Sequence, residues 1–291
     1  EIGVKIVTPI TGMTFTEDTE LNQLGYGQEY QIKYTLEPVD ATASLLTWAS
    51  DNPEVISVDK TGKLKVHTTK TASAVITASY GPVVQNVTVT VADGRFWYSL
   101  GNGLGNGLDN NWYLDGNNAS VVSSDGNKTT VQMGSGYRGD LWLARSGKGK
   151  IVNVTPADYR YFAIKVGFKS QLVPGKNKPN GCIKLEIFDD GIKKIGPEYF
   201  GTGGDANNRY EILGASEIST TEPNVLYYDL QSKYKTVTPT DWNQVFDLVQ
   251  CKFVIADFPE TAQTYDLYWI RSFKSIEELQ AFVDSENNTN E

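Results

Sequence analysis

Apolar residues recur at every second position through much of the chain. Gln28 to Leu36 alternates strictly, with Tyr30, Ile32, Tyr34 and Leu36 on one face. That is the period of a half-buried strand. Pro38 ends it. Leu45–Ser50, Val55–Val58, Leu64–Val66, Ala74–Tyr80 and Val83–Val91 continue the pattern. Asp51-Asn52-Pro53 and Asp59-Lys60-Thr61-Gly62 punctuate it as turns. Short strands with turn signals between them predict a β-sandwich over residues 1–92.

The pattern coarsens near Ala92-Asp93-Gly94, which we take as a domain boundary. Residues 93–291 carry longer, more aromatic strands at Phe96–Leu100, Trp112–Leu114, Leu141–Ala144, Phe162–Phe168, Cys182–Phe188, Cys251–Ala256 and Tyr265–Phe273. Two shorter ones flank Ser124-Asp125-Gly126-Asn127. Loop lengths suit antiparallel pairing, and the strand count predicts a jelly roll. Strict alternation in the last strand would put Trp269 and Arg271 on one face with Tyr265 and Leu267. Asp266, Tyr268 and Ile270 would take the other. One helix is predicted, at the end. Ser275 and Glu278 have capping-box spacing, and Ile276, Leu279, Phe282 and Val283 form an apolar stripe. The fold class is therefore all-β, two domains, with a short C-terminal helix.

Composition narrows the chemistry. Lys+Arg is 26 against Asp+Glu 35, a net charge of −9. Such a chain is poorly suited to nucleic acid or an anionic membrane surface, both of which select cations. His67 is the one histidine, and Cys182 and Cys251 are the two cysteines. This argues against a Cys/His zinc cluster and against His-dependent catalysis outside the first domain. The two cysteines could pair if their strands are adjacent, or stand as buried thiols. No apolar run is long enough for a transmembrane segment. The chain opens on Glu1-Ile2-Gly3, without Met or an apolar leader, as expected of a mature or trimmed form.

The segment from Leu46-Thr47-Trp48-Ala49-Ser50 through Asp51-Asn52-Pro53-Glu54-Val55-Ile56 to Asp59-Lys60-Thr61-Gly62-Lys63-Leu64, with Ala74–Ala78 after it, resembles the bacterial Ig-like domain of group 2. That family's modules serve as spacers or adhesin segments. His67–Ser73 departs from it, since a Gly-Thr turn is common there. Trp242-Asn243-Gln244-Val245 and the ending Tyr268-Trp269-Ile270-Arg271-Ser272-Phe273-Lys274-Ser275 resemble the galactose-binding-like jelly roll that closes surface glycan-binding proteins of Bacteroidetes polysaccharide utilisation loci. The resemblance implies export, a lipid anchor on the outer membrane, a polysaccharide or oligosaccharide ligand, and glycan-transporter components as partners.

Saccharide binding needs a flat apolar surface bordered by hydrogen-bonding groups. Asn111, Trp112, Tyr137, Arg138, Trp142 and Tyr199 offer both within or beside Gly/Asn-rich loops, where recognition residues collect. The competing reading is that these rings fill the sandwich core. Trp142 is the most exposed to that alternative, flanked as it is by Leu141 and Leu143. No cofactor is expected, with structural calcium left open at the Asp/Asn turns around Asp109 and Asp205. Glu186 and Asp190 are candidate acid/base carboxylates for a hydrolase, but Asp190-Gly191 reads as a turn, and Asp189 and Asp190 point to opposite faces. Non-catalytic glycan capture is thus the expected function. A jelly-roll glycoside hydrolase or lyase with an Ig-like accessory domain, and a protein-binding adhesin, are the alternatives.

Overall fold

The computed structural model describes residues 7–105, 112–115, 119–133, 138–145, 148–149, 152–169, 182–189, 193–194, 210–231, 242–256 and 264–288. The chain divides into two compact units, Glu1–Asp93 and Gly94–Glu291. Every strand pairing with a described register is antiparallel, and the described helix Ile276–Asn288 is the only α-helix among the described residues. The protein is all-β.

In the first unit, Glu29–Gln31, Lys63–Val66 and Ile56–Val58 form one small sheet. Thr47–Ser50, Ala72–Tyr80 and the first half of Val83–Ser99 form another. Gly12–Phe15 pairs with Tyr34–Glu37. The continuous strand expected over 28–36 is therefore split. Its two halves pair in different sheets, and the buried Ile32 lies at the break. Leu24, Ile32, Ile56, Leu64, Ile76 and Val89 fill the core. The turn after Ile56–Val58 is held by Asp59, whose Oδ1 accepts the N–H groups of Thr61 at 2.7 Å and Lys63 at 3.0 Å. Gly62 follows at φ +83°, against the ring of Trp48. Only glycine meets both conditions without strain.

The second unit holds two sheets. One runs in the order Tyr113–Asp115, Arg138–Arg145, Phe246–Ala256, Cys182–Asp189, Lys193–Lys194. The other contains Glu211–Ile212, Asn224–Asp229, Tyr161–Phe168 and Thr264–Phe273. Thr129–Gln132 and Trp97–Ser99 both pair along Thr264–Phe273. The two sheets meet through Phe253. Its ring centre lies 5.6 Å from each of Trp112, Phe162 and Tyr228. Phe162 and Tyr228 come from the opposite sheet, so this aromatic cluster is the inter-sheet core.

The second sheet's outward face carries the helix. Ser275 Oγ accepts the Glu278 N–H at 3.2 Å, and Glu278 reaches back to the Lys274 N–H at 2.6 Å. Leu279, Phe282 and Val283 lie against Trp97, Trp269 and Phe273. The apolar stripe thus finds the partner that amphipathicity demands.

Strict alternation fails in the last strand. Leu267 pairs with Val166 and Trp269 with Lys165, so Tyr268 is an extra residue. This bulge keeps Tyr268 and Trp269 on one side of the sheet. Trp269, Tyr268 and Phe273 belong to the cluster under the helix, while Tyr265 and Leu267 are buried apart from it. The expected grouping of Trp269 and Arg271 with Tyr265 and Leu267 is corrected accordingly.

The cysteine question is answered for one residue. Cys251 is a buried free thiol opposite Ile187, whereas Cys182 lies opposite Ala256. Burial pushes the Cys251 thiol far up, which makes it a packing residue rather than a nucleophile.

Candidate functional site

The two tryptophans singled out from the sequence lie on opposite sides of one sheet. Trp112 is 0% exposed, packed on Phe253 and, edge-on, on Tyr98 at 6.1 Å. Its Nε1 has no hydrogen-bond partner among the described residues. The expectation of an exposed stacking platform at Trp112 is corrected: the ring is enclosed between the sheets. Asn111, Tyr137, Tyr199, Asp109 and Asp205 lie outside the described residues, as does Asp190. Arg138 opens its strand opposite Ala256, and Tyr113 is opposite Trp142. Tyr113 and Arg138 therefore begin their strands at different ends of this strand pair.

Trp142 faces away from the core. Leu141 is opposite Phe253, whose ring points inward, so alternation directs Trp142 outward with Asp140 and Lys252. Tyr113, opposite Trp142, and Asp115, opposite Asp140, share that face. Lys252 Nζ sits 4.5 Å from the indole centre, and Arg145 Cζ 5.0 Å. Each such cation over a ring contributes about 0.5–2 kcal/mol, more as water is excluded. Lys252 also donates to Asp140 Oδ2 at 3.2 Å, and Arg145 is paired with Asp115. Trp142 is 7% and Tyr113 1% exposed, so both rings are enclosed, and Asp140 and Lys252 are buried with them. Burial, with Asp115 nearby, pushes the Tyr113 hydroxyl above its ordinary pKa.

The result is two aromatic rings set among two carboxylates and two cations. Arg145 and Asp115, 50% and 29% exposed, form the accessible rim of this group and offer a donor and an acceptor to a sugar's hydroxyls, while the two rings behind them are buried. Asp115 and Asp140 also stand directly across from each other, the spacing a cross-strand pair imposes. The sequence reading placed its paired carboxylates at Glu186 and Asp190 instead. Glu186 is opposite Lys252. Asp115, Asp140, Arg145 and Lys252 were missed because their proximity is purely cross-strand. The available signal was the register implied by pairing two apolar runs, Leu141–Leu143 and Phe253.

Elsewhere the polar groups act structurally. Ser57 Oγ and His67 Nε2 lie 2.8 Å apart in the first unit. Arg271 is stacked on Trp97 at 4.4 Å and Phe282 at 4.3 Å, tying the helix to its sheet. Among the described residues no group of three or more His, Cys, Asp or Glu side chains could hold a metal ion. No described helix is long and apolar enough to cross a membrane.

Set on this two-sheet frame, residues 103–279 match a family defined as a domain of unknown function (DUF4979). The match covers more than half of the chain, and the chain belongs to that family. It lies wholly within the second unit, from the segment after Val83–Ser99 to the first turns of the helix. No curated protein matches the sequence.

Proposed function

We propose that the second unit is a non-catalytic saccharide-binding domain whose contact surface is the outward face around Trp142. The observation that carries this reading is the position of Trp142 and Tyr113, side by side on that face, with Asp115, Asp140, Arg145 and Lys252 around them. The exposed Arg145 and Asp115 fix the sugar's hydroxyls, and stacking of a pyranose on Trp142 requires the buried ring to be uncovered on binding. The pairings also orient the charged groups, which lowers the entropy lost on binding. By resemblance, the first unit is an Ig-like spacer and the protein works at the cell surface, anchored by lipid, handing polysaccharide to transporter components. One site of this size binds weakly, and repeated engagement along a polymer supplies retention.

The test is affinity gel electrophoresis of the whole chain against neutral and acidic plant, fungal and algal polysaccharides. Retardation by one glycan class supports the reading, and absence of retardation on every polymer overturns it.

The facing carboxylates Asp115 and Asp140 favour one alternative, a glycoside hydrolase. Asp140 is bonded to Lys252 and Asp115 to Arg145, so neither carboxylate stands free to flank a scissile bond. Release of reducing ends by the wild-type chain, lost in Asp115→Asn and Asp140→Asn, would establish that alternative.

A further inference from the structure

The outward face of the other sheet holds a second arrangement, beyond the end of the helix. Asp266 is 1% exposed yet ionic. Its Oδ2 accepts from Lys128 Nζ and from Lys169 Nζ, both at 2.7 Å, and its Oδ1 accepts the Thr130 hydroxyl at 2.7 Å. One buried carboxylate therefore holds two ammonium groups. Lys128 is 29% exposed and Lys169 54%. Each ammonium has three N–H donors and spends one on Asp266. The remaining donors are presented to solvent, with the Asp125 carboxylate near enough to offset the second positive charge.

Tyr268 is the ring of this patch. Alternation places it, two residues on, on the same face as Asp266. Among the described residues the Tyr268 hydroxyl makes no hydrogen bond, and Lys165 Nζ lies 5.6 Å from the ring centre, itself paired with Glu286 at 3.1 Å. Gly167 lies between Tyr268 and Asp266. A methyl group there would stand 3.5 Å from Asp266 Cβ and 3.6 Å from Tyr268 Cε2. The glycine leaves that space open, bounded by a ring on one side and the lysine-bearing carboxylate on the other. The nearby Asp125 is committed to its own turn, accepting the N–H groups of Asn127 and Lys128 at 2.9 Å.

We propose that this face is a second binding site, specific for an anionic saccharide residue bearing a carboxylate or sulfate. The sugar ring lies on Tyr268 over Gly167, and the anionic group takes the free donors of Lys128 and Lys169. The proposal rests on the reading of the second unit as a saccharide-binding domain, but not on the Trp142 face.

The experiment is affinity electrophoresis of the whole chain on polygalacturonate, alginate and chondroitin sulfate, beside neutral xylan, glucomannan and β-glucan. At least one anionic polymer retards the wild type, less at raised salt. Lys169→Ala and Tyr268→Ala weaken that retardation at least about fivefold, since each removes an ionic or stacking contact of over 1 kcal/mol. Gly167→Val does the same by filling the space, without removing any charge or ring. Equal retardation of the wild type and of all three site variants overturns the proposal. So does retardation by neutral polymers alone, in which case the saccharide reading of the domain survives. No retardation by any polymer overturns both.

Discussion

Lys252 and Trp142 stand opposite one another on paired strands, with the ammonium 4.5 Å from the indole centre and hydrogen-bonded to Asp140. This contact fixes the ring and organises the face around it. Trp112, on the other side of the same sheet, is fixed instead by its core neighbours Tyr98 and Phe253. The two tryptophans should therefore respond differently. Trp112→Ala leaves a large cavity beside Phe253 and is expected to cost about 3–5 kcal/mol. Trp142→Ala should cost less, because much of what surrounds that ring is polar and can rehydrate. Urea denaturation of both variants checks the order; equal losses would place both rings in the core.

Asp266 predicts an acid-sensitive contribution to stability. Burial pushes its carboxyl up, but Lys128, Lys169 and Thr130 outweigh this and hold it below the ordinary 3.8. A carboxyl with a lowered folded pKa stabilises the fold above its unfolded value and loses that contribution as pH falls through the folded one. Asp266→Asn is thus expected to lose roughly 2 kcal/mol at neutral pH, after allowance for the half-exposed lysines. The gap to wild type should stay constant from about pH 8 to pH 5, begin to narrow below about pH 4, and close as pH falls through the lowered folded value. A gap that did not narrow at all below about pH 4 would show that charge is not its source.

Phe282 anchors the helix between Trp97 and Trp269, at 5.3 and 5.5 Å, with Arg271 stacked on its ring. Phe282→Ala is expected to destabilise the second unit by roughly 2 kcal/mol, since the ring is only partly enclosed. It should also change the tryptophan fluorescence, because two indoles lose a neighbour. An unchanged emission spectrum would mean the helix is not packed on these rings.

Gly62 combines φ +83° with the Trp48 ring less than a bond-contact distance from any Cβ. Gly62→Ala should cost about 1–3 kcal/mol, from left-handed strain and displacement of Trp48. Thermal unfolding of the first unit's transition measures it, and no shift would contradict the turn geometry.

Much of this fold was legible in the chain. Period-two alternation located the strands of the first unit, and the capping box with its 3–4 stripe located the helix, because both signals are local. Three features were not legible. The bulge at Tyr268 reverses the face of every later residue, and nothing in Tyr265–Phe273 marks it except the register against Lys165 and Val166. The change of sheet at Ile32 leaves alternation intact while the partner strand changes. Asn224–Asp229, a buried central strand, has no polar face to alternate with. The site shows the same division. Trp142 was legible as a ring beside polar residues, but Trp112 has an equally polar sequence neighbourhood and is core. What separates them is which side of the sheet each takes, and that depends on partners more than 100 residues away, such as Phe253.

The central claim is that saccharide binding resides on the Trp142 face. The most direct measurement compares wild type and Trp142→Ala on the neutral polysaccharide that most retards the wild type, with both proteins first shown to be folded by their unfolding transitions. The account predicts that the variant remains folded and loses most of the retardation. A folded Trp142→Ala protein retarded as strongly as wild type would contradict it.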